Sequence, residues 1–251
     1  MNTTLTALIV LGCLIAAVLL GRAVRRFLPE EHLTADSRDA IKLAMGLVAT
    51  MSALVLGLLV SSAKGSYDTE RSEVIQMAAK VAFLDRVLTV YGAEAAEARS
   101  RFHQAAEEAV TAMWPREASG SAQLTPNAKT GNAVYAVVQD LSPHDDIQRK
   151  LKDQATTVAT DLGQLRSLLA AQSVPSISTP MLIILVSWLV IIFFGFSVLA
   201  PPNPTVIFAL MVSAFAVSGA IFLILELDQP FSGVLRSSSE PMLNALRQFA
   251  R

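Results

Sequence analysis

Three stretches of this chain run for about twenty residues without a single charge: Leu43–Ala63, Met181–Ala200 and Thr205–Leu225. A fourth, Leu5–Leu20, is shorter and equally uncharged. A helix rises ~1.5 Å per residue, so ~20 apolar residues cross a ~30 Å hydrocarbon core. In lipid every backbone N–H and C=O needs an internal partner, and a helix supplies those partners within one segment. The expectation is therefore an all-α membrane protein with four transmembrane helices, whose first partner is the lipid bilayer.

Charge is scarce elsewhere too: 16% of the 251 residues are charged, against roughly 25% in soluble domains. The net charge of −1 offers no basic field for nucleic acid. The single cysteine, Cys13, cannot close an internal disulfide and reads as packing. His32, His103 and His144 are far apart and show no ligand spacing, so no metal site is expected. The chain has no glycine-rich phosphate loop, GxSxG, HExxH or CxxC, and neither an enzyme nor a cofactor is expected. Arg99-Ser100-Arg101 and Arg149-Lys150-Leu151-Lys152 read as solvated helix faces.

The order of parts follows from breaks in this pattern. Arg22, Arg25 and Arg26 follow the first apolar stretch rather than precede it, which is the flank of a retained anchor, not of a cleaved signal. Residues 1–65 then form two spans with a charged connector. Residues 66–178 form an extramembrane helical bundle inserted between spans two and three. Residues 179–228 form a span hairpin, turned at Pro201-Pro202-Asn203-Pro204. Residues 229–251 form a short amphipathic tail with Pro241 near its helix start, lying on the membrane surface or on the bundle.

Within the bundle, Tyr67, Val74, Val81 and Leu88 are seven apart, with Met77, Leu84 and Tyr91 at the companion positions. This stripe starts just past the second span without a breaker, so one helix is expected to run to about Tyr91 and to break at Gly92. A second helix covers Ala93–Met113 and stops at Trp114-Pro115; 116–131 reads as a loop and Ala133–Leu141 as a short helix or turn. The last helix is expected to start with Ser142 as cap and Pro143 at its first position, and to bury Ile147, Leu151, Ala155, Val158, Leu162, Leu165 and Leu169.

Sidedness stays open. The arginines behind the first span, with Arg38 and Lys42, favour a cytoplasmic connector and an outside bundle. Lys64, Arg71, Lys80, Arg166, Arg236, Arg247 and Arg251 favour the reverse. Both termini share one side either way.

Two features carry functional expectations. In the second span Ala49, Ala53, Gly57 and Ser61 are four apart, a spacing that lets helices approach closely in lipid. The row serves a subunit or pore-proximal interface, or else packs within the chain; Val55, Leu56 and Leu59 beside it offer an apolar constriction, or else plain core. No span holds an ionisable residue at mid-depth, which argues against a proton-coupled carrier. After the fourth span, Asp228, Pro230, Phe231 and Gly233 build a turn: a helix stop with an aromatic anchor, or a subunit-contact turn.

Two spans, a helical insert, a span hairpin and then Leu-Asp-Gln-Pro-Phe-Ser-Gly resemble the bacterial bestrophin-like domain family of four-span membrane proteins. The matching residues are Tyr67, Glu73, Met113-Trp114-Pro115, Asp228, Pro230, Phe231 and Gly233. The family has a glutamate before Trp-Pro, where this chain has Met113. True bestrophins are pentameric anion channels with the second span lining the pore and the helical body in the cytosol. The resemblance therefore implies a homo-oligomeric channel for a small ion, multi-pass in the inner cell membrane. The acidic run that binds calcium in bestrophins is missing after Gly233, so calcium control is not implied. The alternative is a membrane-anchored helical sensor or scaffold whose bundle binds a protein partner or ligand.

Overall fold

The computed structural model describes residues 3–27, 34–114, 128–172, 177–201, 203–228 and 237–249, and they contain eight α-helices and no strand. The helices are α1 (Thr3–Phe27), α2 (Ala35–Tyr91), α3 (Ala96–Met113), α4 (Ala128–Gln139), α5 (Asp146–Gln172), α6 (Thr179–Leu199), α7 (Pro204–Leu227) and α8 (Glu240–Gln248). Four of them, α1, α2, α6 and α7, are long and apolar enough to cross a membrane. The chain divides into two compact units, Met1–Ser66 with Ser176–Asp228, and Tyr67–Pro175 with Gln229–Arg251.

In the first unit α1 packs against both α6 and α7, which touch each other less. Its buried stripe, Ala7, Val10, Leu14, Ala17, Val18 and Gly21, keeps the three-four spacing of one helix face. At Gly21 the approach is so close that a Cβ would lie 2.7 Å from the Phe194 carbonyl oxygen and 2.8 Å from Ser197 Cβ. Hydroxyls add interhelical bonds: Ser197 Oγ donates to the Val18 carbonyl at 2.6 Å, and Ser218 Oγ to the Ala7 carbonyl at 2.8 Å. α1 runs on through Phe27, past the expected end at Leu20 or Gly21, because Arg25 remains helical and donates from Nη1 to the Val198 carbonyl at 2.8 Å. Cys13 is exposed on α1, outside the packing expected for it. Asn203 caps α7, its side chain accepting from the Thr205 N–H at 3.0 Å ahead of Pro204.

The second unit has its own apolar core. α2 is one helix of 57 residues, about 85 Å long. Val74, Met77, Val81, Leu84, Leu88 and Tyr91 are buried on the heptad face that the sequence marks out. Gly92 breaks the helix with φ 113°, a conformation open to glycine, and a short 3₁₀ turn leads into α3. α3 ends at Trp114, whose Nε1 donates to the Ser237 carbonyl at 2.9 Å. α4 starts at Ala128, inside the stretch expected to be loop.

α5 starts later than expected. Asp145, not Ser142, supplies the cap: its Oδ1 accepts from the Gln148 N–H at 2.6 Å, while Gln148 Oε1 accepts from the His144 N–H at 2.8 Å. The 141–144 stretch stays non-helical, and Lys152 Nζ donates to the Gln139 and Leu141 carbonyls. Ala155, Val158 and Leu169 are buried as expected, but Ile147 is exposed, in the first turn beyond the core. The tail helix α8 packs on α3 and buries Met242 and Ala245 in the core of this unit.

Candidate functional site

The buried face of the second span is Met45, Ser52, Leu59 and Ala63, spaced by seven and four. The small row runs at a four-residue spacing that drifts about 40° per step on a 3.6-residue helix. It therefore leaves the buried face at Ala49, which is half-buried, and passes to Ala53, Gly57 and Ser61, which are exposed. A Cβ at Gly57 would meet nothing within 4 Å, and the same holds at Gly46. Among the described residues, Ala53, Gly57 and Ser61 are left exposed, and Ala49 is partly covered by its own chain. Leu54 and Leu58 stand beside it, 76% and 61% exposed. The nearby hydroxyls are turned inward on the helix, Thr50 Oγ1 to the Gly46 carbonyl and Ser52 Oγ to the Val48 carbonyl, each at 2.8 Å.

Val55, Leu56 and Leu59 lie nearer the buried face. Leu59 is 3% exposed inside the span cluster, and Val55 and Leu56 pack partly against it. Leu56, seven residues from Ala49, shares the half-buried start of the small row, whereas Val55 and Leu59 turn away from Ala53, Gly57 and Ser61.

Of the turn after the fourth span, Asp228 is described and Pro230, Phe231 and Gly233 lie outside the described residues. Asp228 ends α7, and its Oδ2 accepts from the Ile177 N–H, which leads into α6, at 3.4 Å. Just before it, Glu226 is 1% exposed and accepts from Thr3 Oγ1 at 2.5 Å. Sequence reasoning missed that pair; the signal was a carboxylate inside the last turn of an apolar helix.

A second missed arrangement lies in the second unit. Asp85, buried beside the heptad face, accepts a two-pronged bond from Arg99, Nε to Oδ1 at 2.5 Å and Nη2 to Oδ2 at 3.0 Å. His103 Nε2 lies 2.7 Å from the same Oδ1. Burial by itself would push the Asp85 carboxyl up, but the bonds from Arg99 and His103 outweigh it and hold it below the usual carboxylate value. Arg99 also donates to the Phe249 carbonyl at 3.2 Å, and the Phe249 ring stacks on His103 at 4.1 Å. The sign was a carboxylate next to Leu84 of the apolar stripe with two basic side chains in the following helix, and Arg99 is thus no solvated-face residue. Among the described residues no group of three or more His, Cys, Asp or Glu could hold a metal ion.

The Bestrophin-like domain model matches residues 12–242. No curated protein and no solved structure matches the chain. With four apolar helices long enough to span a bilayer and a domain match from within α1 to within α8, the chain is a membrane protein that belongs to the bestrophin-like family.

Proposed function

We propose that the chain assembles with copies of itself into an ion channel of the inner cell membrane that passes a small anion. α2 turns Ala49, Ala53, Gly57 and Ser61 toward the symmetry axis, either lining the pore or seating the neighbouring α2. Val55, Leu56 and Leu59 hold the helix to its own protomer. The observation that supports this most is the exposed, open setting of the small row at Ala53 and Gly57 on an apolar span. Small residues serve close helix approach and leave room for a permeant ion. Asp228 ends the fourth span, and its Oδ2 accepts from the Ile177 N–H ahead of α6.

Chloride flux from liposomes carrying the purified protein tests this reading, together with native mass measurement of the assembly. Gly57→Leu should suppress flux while the protein still inserts. A monomer that passes no ion rejects the channel. A second reading, a membrane-anchored sensor or scaffold, draws on the separate apolar core of the extramembrane unit. A reporter fused at residue 120 fixes the side on which that unit faces the cell.

A further inference from the structure

We propose that the extramembrane unit binds a short-chain alkyl carboxylate, with its tail in a cavity among α2, α3, α4, α5 and α8 and its head on Arg166. The site is separate from the small row of α2 and does not depend on ion conduction.

The cavity holds about 60 Å³ of open space. Its deep wall is Met77, Val81, Phe102, Ala106, Ala159 and Met242, none more than 6% exposed. Exposed Gly163 and half-buried Arg166, on one side of α5, form its outer edge. One water needs roughly 10–15 Å³ and two to four polar partners. The space is several times larger, and apolar side chains line it apart from Arg166. It is much smaller than the ~300 Å³ that encloses a whole drug-sized ligand. A few methylenes fit, and a bulky ring system does not.

Arg166 supplies the polar half of the argument. Among the described residues the other half-buried Lys and Arg of this unit are partnered: Lys80 with Asp161 at 2.5 Å, Arg99 with Asp85, and Lys152 with two carbonyls. Arg166 has no hydrogen-bonding or ion-pair partner among the described residues. Partial burial lowers its pKa, with no neighbouring anion to offset that cost. One guanidinium balances one negative charge, and its planar fork matches a carboxylate in two parallel bonds. A monoanion with an apolar tail therefore complements both the charge and the lining.

Calorimetric titration of the full chain in nanodiscs of zwitterionic lipid, with empty nanodiscs subtracted, tests the site. Butyrate, hexanoate, octanoate and decanoate form the series. Each added methylene should tighten binding about fourfold until the cavity is full, after which affinity levels off. 1-Hexanol, which lacks the charge, should bind at least about tenfold more weakly than hexanoate. Arg166→Gln should lose about tenfold for hexanoate and leave hexanol unchanged. Gly163→Leu should weaken both ligands; its Cβ meets nothing within 4 Å and leucine is the better helix former, so the fold is retained. Uptake equal to that of empty nanodiscs overturns the proposal. So does hexanoate binding that Arg166→Gln leaves intact, or affinity that climbs through decanoate equally in wild type and Gly163→Leu, the signature of partition into lipid.

Discussion

Deleting either member of the Asp85–Arg99 pair should weaken the second unit, and the two deletions should not be equal. The Asp85 side chain is 9% exposed and the Arg99 side chain 30%. Removing one partner of a fully buried ion pair costs ~3–5 kcal/mol, because a charge is left stranded away from water. Arg99→Leu strands the deeper group, Asp85, with His103 as its remaining side-chain partner. It should cost about 3 kcal/mol, the low end of that range. Asp85→Leu strands an arginine that can turn partly toward water, and a loss of about 1–2 kcal/mol follows. The double variant should recover ~1–3 kcal/mol of the summed losses, since neither charge is then stranded. Hydrogen exchange of the full chain in nanodiscs reads the local effect. The Arg99 bond to the Phe249 carbonyl fastens the end of α8, and losing a bond of this kind is worth about 1.5 kcal/mol. Amides of 240–248 should therefore exchange about tenfold faster in Arg99→Leu. If α8 keeps its protection, or if Asp85→Leu is the more damaging change, then the pair does not hold the tail as reasoned here.

Acid should act on the same contact. The Asp85 pKa lies below its unfolded value of ~3.9, so the stability it contributes is present above that value and is lost as pH falls through the lower folded one. Exchange of α8, corrected for intrinsic rates, should accelerate below about pH 4, and Arg99→Leu, which lets the folded Asp85 pKa rise toward or past the unfolded value, should shrink or abolish that acid dependence. Gly21→Val should loosen the packing of α1 on α6 by ~1–3 kcal/mol, whereas Gly46→Ala, with open space around it, should be neutral or stabilising; thermal unfolding in nanodiscs separates the two. Gly92→Ala forces a side chain to φ 113° and should cost about 1–3 kcal/mol, read as faster exchange at the end of α2.

The four apolar helices and the heptad stripe of α2 were legible because each rests on a period that one helix face imposes on its own residues. Tyr91-Gly92 was legible for the same local reason: one residue tolerates the turn. What local pattern misses is competition between neighbouring signals. Ser142-Pro143 has the chemistry of a helix start, yet Asp145 with Gln148 makes a reciprocal cap three residues on, and that arrangement wins. Arg25 looks like a flanking charge until the carbonyl of Val198 is brought to it from 173 residues away. The Arg166 cavity has no sequence signature at all, because five helices build it and each lends one or a few side chains.

Burial inside the first unit bears on what surrounds α2. The most apolar window of α2 is 17% buried, against 33% for α6, 28% for α1 and 22% for α7, so α2 leans least on its own chain. Lipid alone would be served by large side chains all round such a helix, as Leu43, Leu47, Leu54 and Leu58 serve it on one side. Gly46, Ala49, Ala53 and Gly57 add little to contact with acyl chains, and each glycine costs about 1 kcal/mol of helix propensity relative to alanine. In the proposed assembly this cost, carried on a flank that its own chain leaves largely exposed, is offset where another backbone, or a permeant ion, comes close. The same flank is therefore where a substitution such as Gly57→Leu should separate assembly or conduction from folding.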